Sequence, residues 1–387
     1  MFTNFRITFN SKKAFPNQIA LALIAFVFSQ VMISFVLNHL NGNYFNTTNW
    51  QRFDSGHYLS IATKGYELFP CDSKNSYSIN GKEMCGNTGW FPGYPFLIKS
   101  VDFLFNDALL IAGVLSKLFY ILSLFMVLKL AHIKEITFKN ILFVLLAAFN
   151  FGFIYYNAIF PVSAVLFFVL AALYFFIRRK IVLTGLFCFL AAFFYPSGIL
   201  LSLVFTITVF LRKNERIKQK VSSLIIPALM GGLGIVCVFL IFQLTVNDWT
   251  AFFKVQAKNV PSLHSPIKNM ESFFALNSLV GTFSMRSFIQ YQSMLVIVGY
   301  IVLSFYFFLK RMFNDELYLW AYIYVTLFLI FQWTIGGNLS MYRAESLLLP
   351  FVFLLKELNS KWIAFILIIL LSIGIPMTYL FFTNVLV

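Results

Sequence analysis

The run IALALIAFVFSQVMISFVL, residues 19–37, contains no charge. Hydrocarbon about 30 Å thick, crossed at about 1.5 Å per residue, needs a helix of roughly 20 mostly apolar residues. The run meets that length. It is too long and bulky for a signal-peptide core, and no small-residue cleavage site follows, so it reads as an uncleaved first span. Ten further windows near 107–128, 141–157, 161–177, 181–194, 196–211, 222–245, 291–309, 317–335, 347–355 and 362–382 share its character. Across the 387 residues, 60% are hydrophobic and only 11% charged, more than soluble cores can hide. The fold class is therefore an all-α polytopic membrane protein of about eleven transmembrane helices, forming one integral membrane domain over 1–387.

Several inner windows are shorter than a crossing and break near Pro161 and Pro196. Short, broken helices are tolerated where they line a cavity enclosed by protein. Lys117 is a rarer feature, a charge inside a span; its ordinary reading is a side chain that snorkels to the boundary.

The net charge of +15 falls mostly between spans, which speaks for topology and against a nucleic-acid partner. One set of connections holds eighteen basic residues against five acids; the other holds ten against nine. The first is short and basic and so cytoplasmic, which puts the N-terminus there as well. The opposite face, periplasmic, extracellular or lumenal, carries two long loops, about 38–106 and 246–290. Long loops on one face point to function on that face. Trp50–Tyr66 and Phe91–Ile98 are rich in aromatic residues and are expected to form short interfacial helices. Cys71 and Cys85 share the first loop, as a disulfide in an oxidising compartment requires, while Cys188 and Cys237 lie in apolar spans.

Chemistry is densest at Trp50–Tyr66. There Arg52, Asp54, His57, Tyr58 and Lys64 crowd among aromatics, and in a helix Asp54, His57, Tyr58 and Ile61 share a face. A carboxylate held just outside the hydrocarbon can act as general base, and Asp54 is the best placed. Its competing role is to cap a short helix. His57 can orient Asp54 or meet a phosphate; without a second histidine at ligand spacing no metal is expected. Arg343, in Gly336–Glu345, offers a fork that matches phosphate oxygens, and its competing roles are a pair with Glu345 or a contact with a lipid headgroup. Walker loops, dinucleotide fingerprints, zinc-protease helices and nucleophile elbows are absent from the sequence.

Phe53-Asp54, His57-Tyr58, Ile61-Ala62 and Gly65-Tyr66, followed by Trp90-Phe91-Pro92-Gly93-Tyr94-Pro95, resemble two ordered blocks of the bacterial relatives of GPI mannosyltransferase 2, the PIG-V family of GT-C glycosyltransferases. The resemblance continues through Tyr195-Pro196-Ser197-Gly198, Phe252…Gln256 and the Arg343…Pro350-Phe351 region. The chain departs from the family at Phe53, where tryptophan is usual, at Val162, where an acid is usual nearby, and at Tyr195, where arginine is usual.

The resemblance implies a GT-C-type bundle and an outer-face transferase that moves a hexose, mannose first, from a polyprenyl-phosphate donor to an acceptor hydroxyl with inversion. Asp54 would be the base. Arg343, His57, Tyr58, Arg52, Lys258, Arg286 and Tyr342 would bind substrate. The partners would be the lipid-linked donor, a glycan, glycolipid or protein acceptor, and membrane lipids, with no metal or other cofactor. A transporter or flippase, an outer-face glycan polymerase and a non-catalytic scaffold are the alternatives.

Overall fold

The computed structural model describes residues 14–71, 83–212, 217–257, 267–270, 287–310, 313, 315–335 and 341–386. Helix α1 (Ala14–His39) leads through a 3-10 turn at Thr47–Trp50 into the short helix α2 (Ser55–Lys64). Strands β1 (Leu68–Pro70) and β2 (Met84–Gly86) pair antiparallel, with Phe69 opposite Cys85. Then come α3 (Gly93–Phe105), α4 (Ala108–Leu130), α5 (Phe138–Ala148), α6 (Val162–Ile177), α7 (Ile181–Phe194) and α8 (Leu200–Leu211). The remainder is α9 (Ile217–Val246), α10 (Ala251–Gln256), α11 (Ser287–Lys310), α12 (Glu316–Ile335), α13 (Met341–Ala344), a 3-10 helix at Glu345–Leu355, and α14 (Ser360–Phe382).

Six of these helices are long and apolar enough to cross a membrane: Ala14–His39, Ala108–Leu130, Gln219–Val246, Phe288–Leu309, Glu316–Ile335 and Ser360–Phe382. The chain is a multi-pass, all-α membrane protein, and its lipid-facing surface is written along its helices. On α9, Ile225, Leu229, Leu233, Val236, Leu240 and Leu244 are exposed large hydrophobics spaced three or four residues apart, a stripe that only lipid covers comfortably.

The interior is built differently. Every residue from Leu146 to Leu166 is buried, although only part of that stretch is helical. The window expected at 141–157 gives a helix that stops at Ala148, because Gly152 takes the left-handed φ of 60° and Asn150 turns its carboxamide onto the Phe151 N–H at 2.8 Å. Irregular backbone at this depth survives because protein groups satisfy it. Tyr120 donates to the Ala148 carbonyl at 2.8 Å, and Gln292 accepts from the Gly152 N–H at 3.2 Å. The window at 347–355 is likewise no ordinary span but a wholly buried 3-10 segment that holds Pro350.

The first long loop contains two helices where short ones were expected, α2 and α3, and a small hairpin that the apolar pattern did not announce. Cys71 and Cys85 are joined across that hairpin, with their Cα atoms 5.0 Å apart. Asn87 sews its base to α2, accepting from the Glu67 N–H at 2.9 Å and donating to the Gly65 carbonyl at 3.0 Å. Pro92, Gly93 and Pro95 suit the start of α3, since N–H groups in a first turn have no partner inside the helix. Gly93 meets a second demand: a Cβ there would stand 2.2 Å from the Phe194 ring of α7. The Trp90–Pro95 block is therefore a close-packing joint between loop and bundle.

Candidate active site

The left-handed φ of 49° at Phe53 aims the chain into α2, an unusual conformation for a bulky residue and a site of local strain. The Phe53 ring packs edge-on against Phe381, at a centroid distance of 6.3 Å. Asp54 stands at the N-cap position of α2, yet its side chain caps nothing. Oδ2 accepts instead from Nη1 of Arg343, 289 residues away. The competing role of Asp54 as a helix cap is thus overturned, and so is the pairing of Arg343 with Glu345.

Arg343 is held from several sides. Its guanidinium lies 5.4 Å from the Phe160 ring centroid. Ser346 Oγ donates to its carbonyl at 2.5 Å. On the next residues, Gln292 of α11 donates to the Tyr342 carbonyl at 3.1 Å and to the Glu345 carboxylate at 2.7 Å. A Cβ on Gly152 would come 2.8 Å from the same Tyr342 carbonyl, so the left-handed turn also makes room for the arginine segment. Burial works against the charge on Arg343, but the Asp54 carboxylate together with Tyr195, Tyr58 and Tyr155 outweighs it and holds the guanidinium above its ordinary pKa.

Tyr58, Tyr155, Tyr195 and Tyr342 surround the pair closely enough to feel its field. Burial pushes the phenols of Tyr58 and Tyr195 upward, and that of Tyr342 to about 12, so these are neutral hydroxyls at physiological pH. Tyr58 is fully packed, edge-on to Tyr94 and Phe160. Tyr195 is only half-buried, and its hydroxyl bonds to no described residue. Asp54 Oδ1 likewise accepts no hydrogen bond from the described residues, and the side chain of Asp54 retains 25% exposure.

His57 does not reach the pair by a direct bond. Its ring stacks on Trp90, with centroids 3.6 Å apart and planes 12° from parallel. Tyr66 donates to the Trp90 carbonyl at 2.9 Å and Gln256 to the Gly89 carbonyl at 2.9 Å, so α10 braces the Trp90 block against α2. The Arg52 guanidinium makes no ion pair with a described residue, and burial draws its pKa down. Lys258 and Arg286 lie outside the described residues. Among the described residues, no three His, Cys, Asp or Glu side chains gather as metal ligands would.

The structure therefore joins Asp54 to Arg343, with Tyr58 and Tyr342 beside them, and leaves Arg52 and His57 at the margin. Sequence reasoning missed Tyr155, Phe160 and Gln292 as members of the site. Tyr195 carried a signal only as a departure from the resembled family. No protein-family model and no curated protein matches the chain.

Proposed function

We propose that the protein is a membrane glycosyltransferase that moves a hexose, mannose first, from a polyprenyl-phosphate donor to an acceptor hydroxyl, with Asp54 as general base. The observation that carries this reading is that Asp54 leaves its helix N-terminus uncapped and is held instead by Arg343 from the far end of the chain. A carboxylate placed only for local structure would take the cap.

In this reading the acceptor O–H donates to Asp54 Oδ1, and its oxygen attacks the anomeric carbon as the proton passes to the carboxylate. The bond from that carbon to the phosphate oxygen breaks, and the phosphate leaves with the electron pair. A single carboxylate suits one displacement with inversion. Arg343 fixes which carboxylate oxygen faces the substrate and places its charge beside the phosphate as negative charge develops there. Tyr195 offers a neutral hydroxyl to a sugar or acceptor oxygen. The surrounding architecture would be a GT-C-type bundle of about eleven crossings, with a cytoplasmic N-terminus and the site on the outer face, where a lipid-phosphate donor meets water.

The test is sugar transfer from a polyprenyl-phosphate hexose by the purified full chain. Asp54→Asn preserves shape and removes the base, so its product formation is expected to fall to background while its gel-filtration profile is unchanged. Retained transfer by folded Asp54→Asn would overturn the reading.

A further inference from the structure

Lys117 lies nine residues into α4, about 14 Å along the axis from its first residue, Ala108. A charge at that depth is costly unless something answers it. No hydrogen bond or ion pair joins its ammonium to another described residue; it is instead lodged between two ring faces, 4.4 Å from the Trp50 centroid and 4.8 Å from that of Tyr44. Rings answer part of the charge but accept few of the three N–H donors.

Both rings are built in. They meet edge-on at 5.5 Å, Trp50 Nε1 donates to the Tyr44 carbonyl at 3.1 Å, and Trp50 leans on Phe382. The polar atoms nearby are already committed: the Tyr44 hydroxyl donates to Gln30 at 2.6 Å, and Gln30 in turn to Asn157 at 2.8 Å. Beside this corner α4 turns toward lipid. Leu110, Val114 and Leu118 are exposed, and one turn from Lys117 a Cβ on Gly113 would meet no atom within 4 Å. On the exposed side of α4, one turn before Lys117, Gly113 thus leaves a notch one missing side chain deep.

We propose that Lys117, the Tyr44 and Trp50 ring faces and the Gly113 notch form a binding site for the phosphate of a membrane lipid, with its chains along Leu110, Val114 and Leu118. An anionic phosphate supplies the acceptors that the ammonium lacks, and the rings hold the ammonium in place to receive it. The seat uses none of the side chains assigned to the Asp54–Arg343 pair, and its occupancy does not depend on sugar transfer.

The test is native mass spectrometry of the full chain released from nanodiscs of phosphatidylcholine containing either phosphatidylglycerol or a polyprenyl monophosphate. The wild type is expected to retain one anionic lipid. Lys117→Met should lower that occupancy about tenfold, the scale of one charge-assisted contact. Lys117→Arg should keep it, and Gly113→Leu, which fills the notch and leaves the charge, should lower it as well. Equal occupancy in Lys117→Met and wild type overturns the site, as does Gly113→Leu at full occupancy. Displacement by millimolar inorganic phosphate overturns the lipid as source. Preferential retention of the polyprenyl monophosphate supports a donor-class lipid at this seat, and equal retention of both lipids supports a general phospholipid.

Discussion

Among the described residues two arginine–carboxylate pairs brace this protein, Arg343 with Asp54 and Arg212 with Glu316. They are alike in burial: the arginine and carboxylate side chains retain 15% and 25% exposure in the first pair, and 10% and 28% in the second. Their surroundings differ. Arg212, just past α8, lies 4.1 Å from the Phe176 ring centroid and ties that helix end to the start of α12. Arg343 and Asp54 lie among four tyrosines, and Asp54 Oδ1 is open to an incoming group. The Arg212–Glu316 pair joins two helix ends, whereas in the proposed reading the Arg343–Asp54 pair also takes a proton from the acceptor.

The contrast is broken most directly by activity. Asp54→Asn is expected to reduce sugar transfer by about 10²–10⁴-fold, the span associated with general bases, whereas Glu316→Gln should change it by less than about threefold. Steady-state transfer with both purified variants decides the matter, and equal losses would mean that both pairs are merely structural.

The next largest effect concerns what supports each pair. The Arg343 segment is strutted by Glu345, a buried carboxyl that burial raises to about 7 despite the hydrogen bond it accepts from Gln292. A carboxyl raised on folding favours the protonated folded state. Its contribution is therefore full below the ordinary value near 4.5 and is lost as pH rises toward 7, on the order of 3 kcal/mol across the window. The thermal midpoint in detergent should rise on acidification from pH 7.5 to 5, and Glu345→Gln should flatten that slope. An unchanged slope in the variant would place the titrating group elsewhere.

As for stability, the two pairs should behave alike. Breaking a fully buried pair costs about 3–5 kcal/mol; partial exposure here discounts that to about 2 kcal/mol for Asp54→Ala or Glu316→Ala. Removing the arginine as well should recover part of each loss, read from thermal midpoints of the single and double variants. A much larger loss at one pair would show that the shared burial misstates its role.

How far the sequence foretold this contrast depends on the range of each signal. Uncharged runs announced the long helices, because lipid acts on every residue of a span. The shared loop of Cys71 and Cys85, and the concentration of charge at Trp50–Tyr66, marked the loop that carries the site. Phe138–Ala148 and Glu345–Leu355 are shorter or more irregular than the windows that announced them, since hydropathy alone does not distinguish a lipid-facing residue from one buried in protein. The meeting of Asp54 with Arg343 left no local trace, and neither did Gln292, whose role depends on three segments meeting in space.

The smallest expected effect separates the pairs by what faces them. Tyr195 stands at the Asp54 pair with its hydroxyl unbonded among the described residues, whereas Arg212 lies over the ring of Phe176, which has no hydroxyl. Tyr195→Phe removes one oxygen and keeps the ring, so its packing against the core survives and the melting point should move by less than about 1 °C. A neutral hydrogen bond to substrate is worth about 0.5–1.5 kcal/mol, a two- to tenfold loss in kcat/KM. A loss confined to KM for one substrate assigns the hydroxyl to that substrate's binding. A loss confined to kcat assigns it to the transition state, where the developing phosphate charge is the one new feature a phenol can meet. No loss in either would return Tyr195 to the wall of the site.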